Sequence, residues 1–236
     1  MAPHQMQAVE SLPALSYPVA LGRSHALPLT TAVSAESRAI YQAFLKPLFD
    51  YLAAFAGLVL ALPVLALVAL IVRIDLGRGV IFRQHRVGLR GQEFTVLKFR
   101  TMRNEVPDGA PQGPCPEHGH KCPNDPRHTK IGKLLRKLSL DELPQLINVL
   151  RGEMSLVGPR PELPEIVGRY EPWQHARHLV KPGLTGLWQV SERGSGKLMW
   201  QSTGLDVEYV HRISMRTDLS ILLRTVPALL GRNQGH

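Results

Sequence analysis

Cysteine is scarce in this chain of 236 residues, which contains only Cys115 and Cys122. Two cysteines are too few for a disulfide-stabilised scaffold, and so low a content is typical of a protein in a reducing compartment. The two do not form a Cys-x-x-Cys pair, so the redox chemistry of that motif is not expected. Lys and Arg are also absent before Arg23, and because a secretory signal begins with such residues, we expect no such signal.

Charged side chains are absent from residues 51–72, where most positions are Leu, Val or Ala. As a helix, this run would be about 30 Å long, which is the thickness of the hydrocarbon core of a bilayer and too long for a buried helix of a soluble protein. Hydropathy alone favours a transmembrane helix kinked at Pro63. The basic residues on both flanks, including Lys46 and Arg73, favour instead a hairpin that enters and leaves by one face.

The average composition does not reveal this apolar run. Hydrophobic residues make up 44% of the chain and the mean hydropathy is −0.06, which argues against a multi-span membrane protein and against a disordered chain. The 28 basic side chains outnumber the 19 acidic ones, giving a net charge of +9 and a pI near 9.9. This excess predicts an anionic partner, which can be nucleic acid, an anionic membrane surface or a phosphorylated small substrate.

The rest of the chain divides by composition. Residues 1–40 are rich in Ala, Pro, Ser and His without a helical or strand period, and they predict a flexible leader. The β-prone segments Val80–Phe82 and Phe94–Leu97, with glycines between them, predict a hairpin. Residues 104–126 are rich in Pro and Gly and predict a loop insertion.

Two amphipathic helices are predicted after the insertion. Apolar residues recur with helical spacing from Ile131 to Leu138, with Lys and Arg on or beside the other face, and again from Leu143 to Leu150. A last apolar stretch runs from Leu219 to Leu230. These patterns predict a mainly helical α+β fold with short β elements.

Between these helices lie two adjacent carboxylates, Asp141 and Glu142. Ser139 and Glu142 have the spacing of a capping box, which is a purely structural role. A helix N-terminus beside basic residues also binds phosphate or metal. Adjacent helical side chains point about 100° apart, so the two carboxylates would divide roles, one attacking a phosphorus atom and the other holding a cation. The spacing alone leaves both interpretations open.

Two arginines, Arg160 and Arg193, are candidates for contact with phosphate. Gly158–Pro161 is a rigid turn that presents Arg160, and a guanidinium on stiff backbone is suited to bidentate contact with phosphate. The alternative is an ordinary surface arginine on a Pro-rich turn. Arg193 follows a strand-like stretch that begins at Trp188.

The insertion contains a cluster of potential zinc ligands. The cluster consists of Cys115, His118, His120 and Cys122. Their spacing matches no common structural zinc pattern, and four ligands within eight residues would strain a tetrahedral site. A polar loop without metal is therefore the favoured interpretation, with a zinc site as the alternative.

Several motifs occur together in a fixed order. After the apolar segment with Pro63 come Lys98–Met102, Asp125–Arg127, Leu138–Leu146, Asn148–Ser155, Gly158–Glu162, Lys181–Gly186 and Leu205–Val210. In this order they resemble the bacterial sugar transferases, the monotopic phosphoglycosyl transferases that begin polyprenol-linked glycan assembly. Each motif alone is weak, but the series covers residues 46–230 and is specific.

The resemblance implies a reaction. A phospho-sugar would pass from a UDP-sugar to undecaprenyl phosphate, giving undecaprenyl-diphospho-sugar and UMP, as the first membrane step of exopolysaccharide, O-antigen, capsule or glycoprotein glycan assembly. Asp141 would attack the β-phosphorus and carry the covalent phosphosugar, and Glu142 beside it would help hold Mg²⁺, with Asp141 as the neighbouring ligand. The substrate-binding residues implied are Lys98, Arg100, Arg136, Arg160 and Arg193.

The resemblance also implies a topology. Residues 41–75 would form a re-entrant membrane helix broken at Pro63, and residues 76–236 a small catalytic domain on the cytoplasmic face of the bacterial inner membrane. Inner-membrane lipids would be partners, nucleic acid would not, and a homodimer is left open. The alternative from another class is a membrane-anchored basic module that binds RNA or anionic lipid without turnover. The interleaving of basic residues with the Asp-Glu pair argues against it.

Overall fold

The computed structural model describes residues 38–105, 125–192 and 203–230. Within these ranges the fold is mainly helical with a few short strands, which confirms the predicted class in that form. Most of the predicted leader and of the insertion lies outside the described residues, as do Arg193 and the Cys115 to Cys122 cluster. The assignment of domains stays a prediction.

The described part of the chain begins with a long helix and a β-hairpin and continues with shorter helices and strands. The first elements are a π-helical turn at Tyr41–Leu45, helix α1 at Lys46–Leu76, and strands β1 at Ile81–Val87 and β2 at Glu93–Phe99. Next come α2 at Lys130–Lys137, a 3-10 helix at Leu140–Glu142, α3 at Gln145–Leu150, β3 at Ser155–Val157 and α4 at Pro164–Val167. The last are a 3-10 helix at Pro172–Leu179, β4 at Gly183–Thr185, α5 at Leu187–Ser191, α6 at Thr203–Arg212 and α7 at Met215–Leu230.

Helix α1 is the membrane candidate. Together with the residues before it, from Arg38 onwards, it is the one helix of the described part with the length and apolar composition to cross a bilayer. Only 11% of its most apolar window is buried within the structure, whereas the core helix of a soluble protein would be mostly buried. Its 31 residues correspond to about 46 Å.

The predicted break at Pro63 is not confirmed, because α1 is assigned as one helix through that residue. A proline inside a helix removes one backbone donor and crowds the preceding turn. The hydrogen bonds on either side can still carry the helix onward, often with a bend. The re-entrant topology therefore stays a prediction.

Both ends of α1 contact the rest of the described chain. Near its start, Lys46 Nζ donates to Asp218 Oδ2 at 2.6 Å and to the carbonyl oxygen of Val157 at 3.0 Å. At its end, the carbonyl oxygen of Leu76 accepts a hydrogen bond from Arg100. The chain after residue 80 thus contacts the helix near both of its ends.

Three clusters of buried apolar side chains form the core. Two of them include residues of α1, and these lie on opposite sides of Pro63. The three clusters are Ala54 with Leu146, Val149 and Met154, then Val68 and Val72 with Phe99 and Leu135, and finally Val157 with Tyr209, Ile213 and Ile221. One face of α1 is therefore part of the protein core, although many of its other side chains are exposed.

The hairpin and the two amphipathic helices predicted from local patterns are present, but the stretch from Trp188 that was predicted to be strand-like is helical and forms α5. The hairpin is confirmed, with antiparallel strands in which Ile81 pairs with Phe99. The basic helix is confirmed as α2, and the side chain of Thr129 caps its first turn by accepting from the backbone N–H of Gly132 at 2.9 Å. The parallel pair β3 and β4 was not predicted. A Cβ at Gly183 would collide with the backbone of Gly158, so these strands need glycine to approach each other.

The capping-box interpretation of Ser139 and Glu142 is wrong. Ser139 has a left-handed backbone with φ of 54°, and its side chain makes no capping hydrogen bond to the 3-10 helix that follows. The Glu142 carboxylate bonds instead to two cations from distant parts of the chain. The α-helix proper begins only at Gln145, after Pro144. The carboxylates therefore lie in a tight turn that leads into α3.

Candidate active site

Glu142 lies between two cations. Its Oε1 accepts from Lys98 Nζ at 3.0 Å and from Arg160 Nη2 at 2.6 Å, and its Oε2 accepts from Arg160 Nη1 at 3.4 Å. Lys98 comes from β2, and Arg160 comes from the turn that follows β3. The Glu142 side chain is only 14% exposed, so these charge-assisted contacts are largely shielded from water.

Asp141 is in a different electrostatic environment from its neighbour. Asp141 is 7% exposed, and burial together with the charge of Glu142 raises its pKa to about 6, although Lys98 opposes the shift. Burial would raise the pKa of Glu142 too, yet Arg160 and Lys98 hold that pKa well below its usual range. The two carboxylates thus differ in their electrostatic environment, and the division of catalytic roles between them stays a prediction. Asp141 is the more basic of the two and still ionises below neutral pH, which suits a nucleophile.

Arg136, on α2, acts electrostatically on both carboxylates. Its Nε donates to Thr101 Oγ1 at 2.9 Å, and its Nη1 lies 3.2 Å from His128 Nε2. Burial and the charge of Arg136 lower the pKa of His128 to about 4, so the imidazole is neutral at pH 7 and can accept this hydrogen bond. Sequence reasoning missed His128 and Thr101, although Thr101 lies in a quoted motif.

The backbone of Arg160 is held by a second arginine. Arg177 donates from Nη2 to the carbonyl oxygen of Arg160 at 2.5 Å, and the same nitrogen lies 2.6 Å from Asp206 Oδ2. Arg177 also donates to the hydroxyl of Tyr170. Arg177 is 2% exposed and Asp206 1%, so this ion pair is buried. No spacing signal in the sequence points to Arg177, because its partners Arg160 and Asp206 lie far away along the chain.

The structure brings most of the predicted site residues together, but not all. Lys98, Asp141, Glu142 and Arg160 lie together, and Arg136 acts on Asp141 electrostatically. Arg100 is placed elsewhere. Its guanidinium donates to Leu76 at the end of α1 and, at 3.3 Å, to Asn104 Oδ1. Arg193 lies outside the described residues.

A pocket of about 200 Å³ adjoins Glu142. Glu142 and Arg160 line it on one side. Its other walls are mainly aliphatic, including Leu143, Leu156, Leu184, Val190, Leu222 and Ala228. A charged site beside an apolar pocket suits a ligand that carries both a phosphate and an apolar part.

The donor set fits a magnesium ion bound together with a substrate. Among residues 38–105, 125–192 and 203–230 there is no group of three or more His, Cys, Asp or Glu side chains that could hold a metal ion. Mg²⁺, however, is commonly bound through one or two carboxylates and the phosphates of the substrate. Asp141 and Glu142 provide this minimal set.

Comparison with known proteins identifies the family. The family model described as bacterial sugar transferase matches residues 41–232. The chain belongs to the bacterial sugar transferase family. The resemblance predicted from the ordered motifs is thereby confirmed.

Relatives of this bacterial sugar transferase align over most of the chain. The uncharacterized sugar transferase EpsL of Bacillus subtilis (strain 168) is 43% identical over 187 residues, which is 79% of this chain and 87% of EpsL. The exopolysaccharide production protein ExoY of Rhizobium meliloti (strain 1021) is 40% identical over 195 residues, covering 78% and 84% of the two chains. The UDP-glucose:undecaprenyl-phosphate glucose-1-phosphate transferase of Caulobacter vibrioides is 43% identical over 194 residues, covering 78% and 69%.

Proposed function

We propose that this enzyme transfers a phospho-sugar from a UDP-sugar to undecaprenyl phosphate, giving undecaprenyl-diphospho-sugar and UMP. The name of the Caulobacter relative supports the two substrates, and the name of ExoY supports a role in exopolysaccharide production. The observation that carries the proposal is the buried Asp141–Glu142 pair among Lys98, Arg136 and Arg160. Such a site matches a reaction whose donor and acceptor both carry phosphate.

The chemistry proposed at Asp141 has two steps. First, a carboxylate oxygen of Asp141 forms a bond to the β-phosphorus of the UDP-sugar, the bond from that phosphorus to the bridging oxygen breaks, and UMP leaves. Next, a phosphate oxygen of undecaprenyl phosphate attacks the same phosphorus, and the bond to Asp141 breaks. Covalent catalysis replaces one difficult transfer with two easier ones.

The surrounding cations neutralise charge during both steps. Lys98 and Arg160 already contact Glu142 and lie beside the carboxylate pair. Donors that are positioned before the reaction stabilise phosphoryl charge without reorganisation. A purely binding role for these cations is less well supported, because binding alone would not explain why two buried carboxylates lie among them.

The proposed cofactor is Mg²⁺, held by Glu142 and Asp141. When bound, it neutralises charge on the transferring phosphates. The ion pairs of Glu142 with Lys98 and Arg160 hold that carboxylate ionised, as a metal ligand must be.

The proposed location is the cytoplasmic face of the bacterial inner membrane, with α1 as a re-entrant element. Lys46 near the start of α1 and Leu76 at its end both contact the part of the chain that carries Asp141. A straight transmembrane helix would place its two ends on opposite sides of the bilayer. Contacts of both ends with a single domain therefore favour entry and exit by one face. The homodimer stays a prediction.

Cysteine labelling tests this topology. In a variant whose two native cysteines are replaced with serine, Ile40→Cys and Val80→Cys are introduced separately. We expect a non-permeant thiol reagent to label neither cysteine from outside intact cells, and both after permeabilisation. The background without added cysteine is the control. Labelling of only one position from outside would mean that α1 spans the membrane.

A transfer assay tests the reaction. The full-length protein in lipid nanodiscs is incubated with radiolabelled UDP-sugar, Mg²⁺ and undecaprenyl phosphate. We expect a lipid-linked radiolabelled product and one equivalent of UMP, with no product when the lipid phosphate is omitted. Release of UDP in place of UMP would mean that the sugar moves without its phosphate and would refute the proposal. If UMP is released as expected, the same assay repeated with one UDP-sugar at a time would identify the donor.

A further inference from the structure

Gln189 has a buried side-chain amide without a hydrogen-bond partner. The residue is 5% exposed, and neither Oε1 nor Nε2 forms a hydrogen bond within the described part of the chain. Gln189 lines the pocket of about 200 Å³ beside Glu142 and Arg160. Because buried polar groups are nearly always hydrogen-bonded, such an amide needs an explanation, and a ligand in the pocket provides one.

The other uncharged polar side chains that line this pocket, those of Ser139, Thr185 and Thr225, have partners. The hydroxyls of Thr185 and Thr225 lie 2.8 Å apart, and Thr225 Oγ1 donates to the carbonyl oxygen of Ile221 at 2.7 Å. The remaining wall near them is aliphatic, as in Leu184 and Leu222. The Gln189 amide is therefore the polar group that remains to recognise a neutral, mostly apolar ligand.

We propose that this pocket binds the uracil base of the nucleotide sugar, with the Gln189 amide paired to the imide edge of the base. This inference rests on the proposed function. A Gln side chain offers one acceptor oxygen and two N–H donors. The uracil edge offers an N–H between two carbonyl oxygens, and pairing of an amide with the edge of a base is a common mode of recognition. The flat faces of the uracil ring can pack against aliphatic side chains of the pocket such as Leu184 and Leu222.

The charged residues of the pocket lie where a nucleotide bound with its base at Gln189 would place its phosphates. Arg160 and Glu142 line the same pocket, so a nucleotide with its base near Gln189 would have its phosphates near the carboxylate pair. A prenyl chain would also fit aliphatic walls, but it has no hydrogen-bonding group and would leave the Gln189 amide unpaired. A sugar ring has hydroxyls around its whole edge, for which these walls offer few partners.

The test is binding of UMP to the full-length protein in lipid nanodiscs. Gln189→Met keeps the length of the side chain and removes its hydrogen bonds. We expect about tenfold weaker UMP binding, a similar rise in KM for the UDP-sugar, and a KM for undecaprenyl phosphate within about twofold of wild type. Gln92→Met, in the exposed turn between β1 and β2, is the matched control and should bind UMP as wild type does.

The opposite pattern would overturn the inference. If Gln189→Met binds UMP normally, whether or not the KM for undecaprenyl phosphate rises, the base lies elsewhere. If that variant fails to fold, Gln189→Glu serves instead. Its carboxylate can accept from the imide N–H but repels the carbonyl oxygens, so UMP binding should again weaken. A different result would refute the proposed function and leave the inference on Gln189 intact. In that case the wild-type protein would bind UMP through Gln189 but would form no lipid-linked product.

Discussion

Replacing Asp141 with Asn is expected to reduce phospho-sugar transfer by a factor of about 10⁴ or more. The amide keeps the shape of the side chain but is a very poor nucleophile, so the covalent step is lost. The measurement is the initial rate of lipid-linked product formation with saturating UDP-sugar and undecaprenyl phosphate.

The environment of Asp141 explains why the effect should be so large. The carboxylate is buried, and its pKa of about 6 leaves it both ionised at neutral pH and more basic than an exposed Asp. Glu142 cannot take over, because Lys98 and Arg160 hold its carboxylate in ion pairs and keep its pKa low. Asp141 and Glu142 therefore do not substitute for each other, because the carboxylate of Glu142 is held in ion pairs.

A trapping experiment separates loss of chemistry from loss of folding. With UDP-sugar labelled in the sugar and no lipid acceptor, the wild-type protein should retain up to one label per chain, and Asp141→Asn should retain none. Glu208→Gln removes a carboxylate from an exposed ion pair with Arg212 and should leave both labelling and transfer unchanged. A fully active Asp141→Asn protein would refute the mechanism.

Replacing Asp206 with Asn is expected to lower the free energy of unfolding by about 3–5 kcal/mol. The change leaves the Arg177 guanidinium, which is almost fully buried, without its compensating charge. For a chain of this size such a loss lowers the melting temperature by roughly 6–20 °C, which thermal unfolding in detergent micelles can measure. Activity should fall as well, because Arg177 also holds the backbone of Arg160.

The same helix offers a matched comparison. Glu208, two residues further along α6, forms an exposed ion pair with Arg212 at 2.8 Å. Glu208→Gln makes the same carboxylate-to-amide change and should cost less than about 1 kcal/mol, since exposed pairs are solvated. Equal melting temperatures for the two variants would show that the Arg177–Asp206 pair does not support the fold. Replacing Arg177 with Met in addition to Asp206→Asn should recover part of the loss, because no charge is then left unpaired.

Local patterns predicted the elements whose geometry depends on near neighbours. The alternation and glycines around residues 80–97 suffice for a hairpin, and the helical spacing of apolar residues from Ile131 suffices for α2. The same reasoning failed at Ser139, whose capping spacing does not reveal a left-handed backbone. That conformation is sparsely populated for serine and persists only where surrounding contacts impose it.

The sequence by itself determined the family, the apolar helix and the types of residue available for catalysis. The order of its motifs was enough to identify the family, and the uncharged run at residues 51–72 was enough to identify the apolar helix. Only the tertiary structure decided which side chains meet. Lys98 and Arg160 are 44 and 18 residues from Glu142 along the chain, and Arg177 and Gln189 carry no local signal. Such contacts depend on how separate elements pack, and packing follows from burial and charge over the whole fold, not from the spacing of residues within one segment.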